Sequence, residues 1–353
     1  MGQQFTRANP QLSLSRLTQL HTLYIDKNEL DGELGDTLDS LTNLKHLDLS
    51  DNMLRGHIPH GIGNLLALRD VRLSNNFFSG SFPVSIISLS NLETLLIDNN
   101  SIGGTVPSLL GKMKSLITIR VHDNDMKGKI PSFESAEKLE EIQYVPIVPV
   151  CFVLKPKLTY KTKLLMFSFD SNFFTGNIPN IYSKHLRDLY LGNNALTGEI
   201  PNSVGLNDNL EILSAQANKL SGTIASSISK ISALQVLDLS YNKLSGLISD
   251  ELSYLPELTE IRLNHNRFSG FPTWISDMRK LKVVLLNNNL LDGKVDLSLE
   301  FGDLLNLEQF AIDNNDLTGV IPDFVCDLVL DVLTADCWGT PPRVDCTCCS
   351  KCF

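Results

Sequence analysis

An asparagine returns through this chain at almost constant intervals. Successive asparagines of the series are 24, 24, 24, 24, 48, 22, 24, 24, 24, 23 and 26 residues apart. A period between about 20 and 30 residues is the signature of a solenoid, in which successive copies stack as coils. We predict a structural role for every member of this asparagine column: Asn28, Asn52, Asn76, Asn100, Asn124, Asn172, Asn194, Asn218, Asn242, Asn266, Asn289 and Asn315.

One copy, LQVLDLSYNKLSGLIS at 234–249, shows the pattern L-x-x-L-x-L-x-x-N-x-L-x-G-x-I. Leu237 and Leu239 are two residues apart, so they point to one side of an extended segment while Asp238 points to the other. The sequence therefore predicts one strand per coil, with leucines facing inward. Where the chain leaves the strand, an asparagine amide can both donate to and accept from backbone groups that the bend leaves unpaired.

Most copies continue into a tail of the form L-x-G-x-I-P, as in MLRGHIP at 53–59. This tail resembles the plant-type leucine-rich repeat of receptor-like ectodomains and secreted inhibitor proteins. The resemblance implies an α/β repeat solenoid: a right-handed superhelix with a concave parallel β-sheet and an irregular or 3-10 helical convex side. The prolines that carry it are Pro59, Pro83, Pro107, Pro131, Pro179, Pro201 and Pro322.

The period divides the chain into five segments. Residues 1–19 match the back half of a coil without the N-terminal cap that the resemblance implies, and we expect a truncated sequence. Coils follow at 20–143 and 169–325, and 326–353 form a Cys-rich cap. Between the two sets of coils, 144–168 read as an insertion with four lysines and no acidic residue. Three interpretations of it stay open: a gene-model artefact, an island loop that binds ligand, or a degenerate coil.

The C-terminal segment holds six cysteines in 27 residues: Cys326, Cys337, Cys346, Cys348, Cys349 and Cys352. Up to three disulfides with fifteen possible connectivities would fit, which indicates an oxidising compartment. The ending A-D-C…C-x-C-C-x-x-C is similar to the C-terminal caps of leucine-rich-repeat proteins in diatom-type algae. A thiolate metal site at the last four cysteines is the alternative. Because Cys348 and Cys349 are adjacent, a tetrahedral site is awkward there, and we predict no metal.

Charge and hydropathy restrict the partners and the location. Thirty basic against forty acidic residues give a net charge of −10, which disfavours nucleic acid as a partner. No apolar stretch reaches the ~18 residues of a membrane span, and the first twenty residues lack the apolar region of a secretory signal. The cysteines favour an extracellular or cell-surface location. The alternative is a cytoplasmic protein myristoylated at Gly2, since 1–6 fit M-G-x-x-x-[ST].

No nucleophile elbow, phosphate-binding loop, dinucleotide fingerprint or zinc-protease motif occurs in the sequence. We therefore predict neither catalytic residues nor a cofactor. The predicted function is a non-enzymatic recognition module, receptor-like or secreted, that binds an extracellular protein, peptide or glycan, with a co-receptor as a further candidate partner. The alternatives are a structural scaffold of a cell wall or surface and an inhibitor of a secreted enzyme.

Ligand contact is predicted on the concave face, at outward positions of the strands. Aromatic and arginine side chains are the usual anchors of binding surfaces, so they are favoured here. The predicted contact residues are Tyr24, Asp48, Arg72, Arg120, His122, Tyr190, Asp238 and Arg262.

Overall fold

The computed structural model describes residues 14–132, 165–181, 186–295, 304–328, 330–339 and 342–353. The chain divides into two compact units. The first unit comprises Met1–Phe173 and His185–Tyr190, and the second comprises Phe174–Lys184 and Leu191–Phe353. Within each unit the repeats stack as coils whose strands run parallel, so the fold is the predicted leucine-rich-repeat solenoid.

In the first unit, one strand from each coil joins a parallel sheet in chain order. Equivalent residues pair across neighbouring strands, as Leu23 pairs with Leu47 and Leu47 with Val71. All three are buried, which confirms the inward face of the alternating pattern. The strands are Thr22–Tyr24, His46–Asp48, Asp70–Arg72, Thr94–Leu96, Thr118–Arg120, Leu165–Ser168 and Leu186–Tyr190.

The second unit repeats this arrangement, again in chain order and again parallel. Leu237 pairs with Leu213 on one side and with Ile261 on the other. The strands are Ile212–Ser214, Val236–Asp238, Glu260–Arg262, Val283–Leu285, Gln309–Ala311, Val332–Ala335 and Lys351–Cys352. The last two come from the predicted Cys-rich cap, which therefore continues the sheet.

A second strand in most coils is a feature that the sequence prediction of one strand per coil missed. Except for Val344–Asp345 of the cap, it forms from the L-x-G-x-I tail. It pairs in parallel with the equivalent segment of the next coil, as Asp31–Glu33 does with part of Met53–His57. The other second strands are Phe77–Ser81, Ser101–Thr105, Asp125–Gly128, Phe173–Gly176, Ala195–Gly198, Lys219–Gly222, Lys243–Leu247, Arg267–Ser269, Asp292–Val295, Asp316–Val320 and Val344–Asp345.

Short 3-10 helices follow the second strands, as the resemblance implied for one side of the solenoid. Proline begins many of them because its fixed φ suits a helix start and its missing N–H is not needed there. Pro59, with φ −65°, precedes the helix at His60–Asn64. The others that follow a second strand are Val84–Ser88, Ser108–Lys112, Asn202–Leu206, Ser226–Lys230, Asp250–Tyr254 and Thr273–Asp277. Leu14–Arg16 precedes the first strand, and a short α-helix spans Asp323–Asp327.

The asparagine column links neighbouring coils through buried hydrogen bonds. The Oδ1 atom of Asn76 accepts from the Leu54 N–H of the preceding coil at 3.0 Å. Its Nδ2 donates to the Leu49 carbonyl at 2.9 Å and to the carbonyls of Leu73 and Ser74 at 3.2 Å. The amide thus satisfies backbone groups of two coils at the bend that leaves the strand.

The C-terminal cap is closed by three disulfides and by one carboxylate. The sequence left the pairing open, and the structure pairs Cys326 with Cys348, Cys337 with Cys352, and Cys346 with Cys349. Asp336, within the A-D-C motif, accepts from the backbone N–H groups of Asn314 at 2.8 Å and Asn315 at 3.0 Å. In earlier coils a backbone carbonyl of the next coil accepts these bonds, as in Asn288 N–H to Asp313. The Asp336 side chain therefore ends the backbone ladder.

One boundary differs from the prediction. The predicted insertion ended at Ser168, whereas Leu165–Ser168 form a strand that pairs with Leu186–Tyr190 and, through Ser168, with Arg120. The remaining residues of the insertion, 144–164, and residues 1–13 of the predicted partial repeat lie outside the described residues.

Candidate ligand-binding face

The strand face of the first unit is the row of outward side chains at the ends of its strands. Backbone register places each member opposite the next, from Tyr24 and Asp48 at one end to Tyr190 at the other. Six strand spacings of about 4.8 Å give the row a length of about 29 Å. Its exposed or half-buried members are Tyr24, Asp48, Arg72, Leu96, Arg120 and Tyr190, whereas Ser168, at the equivalent position of its strand, is buried.

Tyr24 and Arg72 offer the most accessible side chains of this row. The Tyr24 side chain is 59% exposed, and Arg72 is also exposed. Arg72 makes no ion pair with any other described residue. Asp48, half-buried between them, accepts a hydrogen bond from the Ser50 N–H at 3.0 Å. Tyr190 is half-buried. Arg72 is thus a cation that a carboxylate of a ligand could reach.

Arg120 is held from below by a buried carboxylate. Its Nη2 atom lies 3.1 Å from Oδ2 of Asp98, and the two side chains are 15% and 0% exposed. The Ser74 hydroxyl donates to the other oxygen of Asp98 at 2.6 Å. Because a buried carboxylate already pairs with its guanidinium, Arg120 offers a ligand less free charge than Arg72 does.

His122 is a correction to the predicted contact residues, because its side chain is fully buried. It follows the strand, directly after the inward Val121, in a position that the alternating pattern assigned to the exposed surface. Its Nδ1 atom lies 2.8 Å from Oδ2 of Asp123, and its Nε2 atom lies 3.5 Å from Oδ2 of Asp98. The polar contacts to these two carboxylates hold the imidazole inside, so a ligand cannot reach it in this conformation.

Asp170 occupies the equivalent position in the coil that follows His122. Burial raises the pKa of the Asp170 carboxyl, while a hydrogen bond from Ser168 and the nearby His122 partly lower it. The Ser168 hydroxyl lies 2.5 Å from Oδ1 of Asp170. These groups add a buried polar layer beneath the strand face.

The second unit carries the remaining two predicted contact residues on neighbouring strands. Asp238 pairs in register with Arg262, and both are half-buried. Arg262 donates from Nη2 and Nε to Oε2 of Glu260 at 2.7 and 3.1 Å. Burial raises the pKa of Asp238, although hydrogen bonds from the Ser240 hydroxyl and N–H, at 2.6 and 3.0 Å, favour the charged form.

Sequence reasoning missed a further row, formed by the residue before each column asparagine. Its φ angles lie between 48° and 57° in all twelve coils, a left-handed region that asparagine and aspartate tolerate best. The signal was present, because seven of the twelve are Asn or Asp. The row is Lys27, Asp51, Asn75, Asn99, Asp123, Ser171, Asn193, Ala217, Tyr241, His265, Asn288 and Asn314.

Two general properties of the described residues bear on the kind of site. In that part of the chain, no group of three or more His, Cys, Asp or Glu side chains is placed to hold a metal ion. None of its helices is long and apolar enough to cross a membrane. What the strand face offers is hydrogen bonding, charge and aromatic surface.

Family models described as leucine rich repeat match residues 208–268 and, separately, residues 43–65, 91–113 and 185–206. No curated protein sequence matches the chain significantly. The matched segments lie in coils of both units, and each includes at least one strand of the parallel sheet.

Solved structures with the same fold include several plant receptor ectodomains. The ectodomain of the Arabidopsis thaliana receptor kinase GASSHO1/SCHENGEN3, in complex with CASPARIAN STRIP INTEGRITY FACTOR 2, is 28% identical, covers 95% of this chain and 42% of its own, and has a TM-score of 0.71. The Arabidopsis receptor kinase HAESA ectodomain, in complex with an N-terminally extended IDA peptide hormone ligand, is 28% identical over 92% of this chain and 55% of its own, with a TM-score of 0.74.

A third structure, the plant peptide hormone receptor RGFR1 in complex with RGF2, is 27% identical over 91% of this chain and 56% of its own, with a TM-score of 0.64. This chain thus spans about half the length of these solved ectodomains. The chain therefore folds as a leucine-rich-repeat solenoid, and the solved structures to which it is similar include the ectodomains of plant receptor kinases.

Proposed function

We propose that this chain is a non-catalytic extracellular recognition module that binds an extended peptide along the strand face of the first unit. The observation that carries the proposal is the row of outward positions that the backbone register keeps in line over seven strands. Six of these positions carry an exposed or half-buried side chain, and the seventh, Ser168, is buried. Support comes from the similar HAESA ectodomain, whose structure was solved with a peptide hormone ligand, and from the plant peptide hormone receptor RGFR1, solved in complex with RGF2. The three disulfides of the cap favour an oxidising, extracellular compartment.

The dimensions of the row suit a short peptide. An extended chain advances about 3.3 Å per residue, so a face of about 29 Å accommodates roughly nine residues. Tyr24 and Tyr190 stand at its two ends and supply aromatic surface, which is enriched in the best-packed parts of interfaces. We therefore expect a peptide of about nine residues in contact with the row.

Charge favours an acidic group near the middle of that peptide. Arg72 is exposed and unpaired among the described residues, whereas Arg120 already contacts Asp98. A guanidinium can donate two parallel hydrogen bonds to a carboxylate. Arg72 is accordingly our main candidate contact, with Tyr24, Asp48, Arg120 and Tyr190 beside it. In the second unit, Asp238 and Arg262 stay predictions.

The test is a selection of twelve-residue peptides from a random display library on the purified protein, followed by calorimetry with synthetic versions of the selected sequences. We expect selected peptides to contain Asp or Glu and Arg72→Glu to weaken their binding at least tenfold. Arg55→Glu is the matched control, because Arg55 is an exposed arginine of the same unit that lies on a second strand and pairs with Asp31. Equal losses in both variants, or none in either, would rule out the strand face as the peptide site.

A further inference from the structure

In the second unit, three adjacent coils depart from the Asn and Asp residues that dominate the left-handed row. Ala217, Tyr241 and His265 occupy these positions with φ of 52°, 54° and 55°. A left-handed conformation is uncommon for alanine and unusual for a bulky residue, and such residues cluster at functional sites. Histidine is enriched in this region, so local backbone preference accounts for His265 but not for Ala217 or the bulky Tyr241.

The backbone ladder holds the two rings in register. The N–H of Tyr241 donates to the Asn264 carbonyl at 2.9 Å, and the N–H of His265 donates to the Asn287 carbonyl at 3.0 Å. The rings stack with centroids 4.1 Å apart and an interplanar angle of 17°. This spacing is close to the strand repeat of about 4.8 Å, so the solenoid itself sets the separation of the rings.

One face of the Tyr241 ring is left for a ligand. His265 covers the other face, yet Tyr241 is 54% exposed. In the preceding coil Ala217 occupies the same position and contributes only a Cβ atom. The next side chain of the row, Asn193, is two coils away, about 10 Å along the stack. That distance admits one additional ring between Asn193 and Tyr241, above Ala217.

Two amide side chains border this gap: Asn193 is exposed and Gln216 is half-buried. Two more, the buried Asn264 and the half-buried Asn288, lie beyond the gap, beside His265. Each amide offers both a donor and an acceptor, and Ala217, Tyr241 and the amides carry no charge. This combination of an aromatic face and neutral bifunctional hydrogen-bonding groups suits a sugar, whose hydroxyls are donors and acceptors. The C–H bonds on the face of a pyranose are attracted to the negative face of an aromatic ring.

We propose that this edge of the second unit is a binding site for a neutral carbohydrate, with a pyranose ring stacked on the free face of Tyr241 above Ala217. The site is separate from the peptide face proposed above and does not depend on it. The row residues that border the gap, Asn193, Ala217 and Tyr241, are uncharged, which favours a neutral sugar. The nearest lysines along the chain, Lys219 and Lys243, lie two residues beyond the row.

The experiment measures saturation-transfer NMR and calorimetry of the full chain with cellohexaose, mannohexaose and xylohexaose, and with hexagalacturonate as the acidic comparison. We expect at least one neutral hexasaccharide to bind more tightly than hexagalacturonate. Tyr241→Asn, which installs the residue type most common in the row, should weaken that binding at least tenfold, and Tyr241→Phe should change it less than threefold. Ala217→Tyr should fill the gap and also weaken binding at least tenfold.

Tyr254→Asn is the matched control, because Tyr254 is a 76% exposed tyrosine of the same unit on a 3-10 helix, and it should bind as the unmodified chain does. Arg72→Glu should also leave sugar binding unchanged, which separates this proposal from the peptide site. Unfolding curves verify that each variant is folded. The proposal is overturned if no neutral hexasaccharide binds, or if Tyr241→Asn binds the sugar as tightly as the unmodified chain does. It is also overturned if Tyr241→Asn weakens only the binding of the peptides selected from the display library and not that of the sugar.

Discussion

The column asparagines do more than cap single turns, because each one from Asn52 to Asn315 joins two coils. Asn76 is 7% exposed and accepts one backbone hydrogen bond while donating to three carbonyls. Its partners Leu54 N and Leu49 O belong to the preceding coil. An aliphatic residue of similar size would leave these groups unpaired in a water-free bend. Asparagine therefore recurs at this position because it satisfies buried backbone hydrogen-bonding groups, and not because it binds a ligand.

Asn76→Ala should lower the free energy of unfolding by about 2 to 4 kcal/mol, since buried groups left without partners cost about 1 to 3 kcal/mol each. Urea denaturation measures the change. Asn91→Ala is the matched control, because Asn91 is exposed and donates one hydrogen bond, to the Leu66 carbonyl. We expect a loss below about 1 kcal/mol there. Similar losses in the two variants would show that the column position has no special role.

Asp238 provides a residue whose charge opposes folding. Burial raises its pKa in the folded state above the ordinary value of 3.8, so the folded chain binds a proton at a higher pH than the unfolded chain does. Above the raised pKa the buried carboxylate is charged and destabilises the folded state by its full amount. This destabilisation decreases as the pH falls from the raised pKa towards 3.8. Stability contributed by protonation is present at low pH and is lost as the pH rises.

Asp238→Asn should consequently be more stable than the unmodified chain at pH 7, because the amide oxygen can still accept from Ser240 without a charge. The advantage should shrink on acidification, as the unmodified chain takes up its proton. Urea denaturation at a series of pH values measures the difference. An advantage that grows on acidification, or a destabilised variant at pH 7, would contradict this assignment of cause.

Ser74, Asp98 and His122 show where residue-level prediction from the sequence fails. The alternation of inward and outward residues correctly predicts that Leu73, Ile97 and Val121 lie in the core. The same pattern predicts an exposed side chain at the residue that follows each of them. All three of these polar residues are buried, because they bond along the stack to one another and to Arg120. Such contacts join residues 22 or 24 positions apart, and a pattern within one coil contains no information about them.

At the scale of the element, the strand with the inward leucines was predictable and its partner strand was not. In the tail of each coil a glycine interrupts the apolar pattern, and glycine inside a strand usually indicates a bend or bulge. Gly56, with φ 79°, nevertheless lies within Met53–His57. Pairing to the neighbouring coil stabilises this segment, so its strand character depends on the stack and not on local preference.

The 3-10 helices show how closely neighbouring coils approach. A Cβ atom built on Gly63 would lie 2.6 Å from the backbone oxygen of Ser85 in the next coil, whereas one on Gly103 would have its nearest neighbour at 3.5 Å. Gly63→Ala should therefore destabilise the protein by about 3 kcal/mol, since a backbone contact cannot relax without separating two coils. Gly103→Ala should cost less than about 1 kcal/mol.

Thermal and urea unfolding of the two glycine variants decides this prediction, because both belong to the first unit and add one methyl group. Equal stability of the two would mean that the helices of adjacent coils are not in close contact. A large loss in Gly103→Ala alone would instead indicate that the second strands, not the 3-10 helices, limit the coil spacing.

At the scale of the whole molecule, stability in a solenoid is approximately a sum over coils and their interfaces, so the last coil needs its own protection. The cap protects the last coil in two ways. Asp336 accepts the final hydrogen bonds of the backbone ladder, and three disulfides cross-link the cap. The links close loops of different length: 22 residues for Cys326 and Cys348, 15 for Cys337 and Cys352, and 3 for Cys346 and Cys349. In the chain-entropy model, longer loops restrict the unfolded chain more.

Removal of Cys337–Cys352 by a double substitution to alanine should lower the free energy of unfolding by roughly 3 kcal/mol, and removal of Cys346–Cys349 by roughly half as much. The first bond ties the terminal strand Lys351–Cys352 to the residue that follows Asp336, so its loss should also raise hydrogen exchange in Val332–Ala335. Exchange in Thr94–Leu96 should not change, because stability is local in a stacked repeat. Denaturation and exchange mass spectrometry of both variants test this, and a uniform rise in exchange along the chain would show that the protein unfolds as one cooperative body.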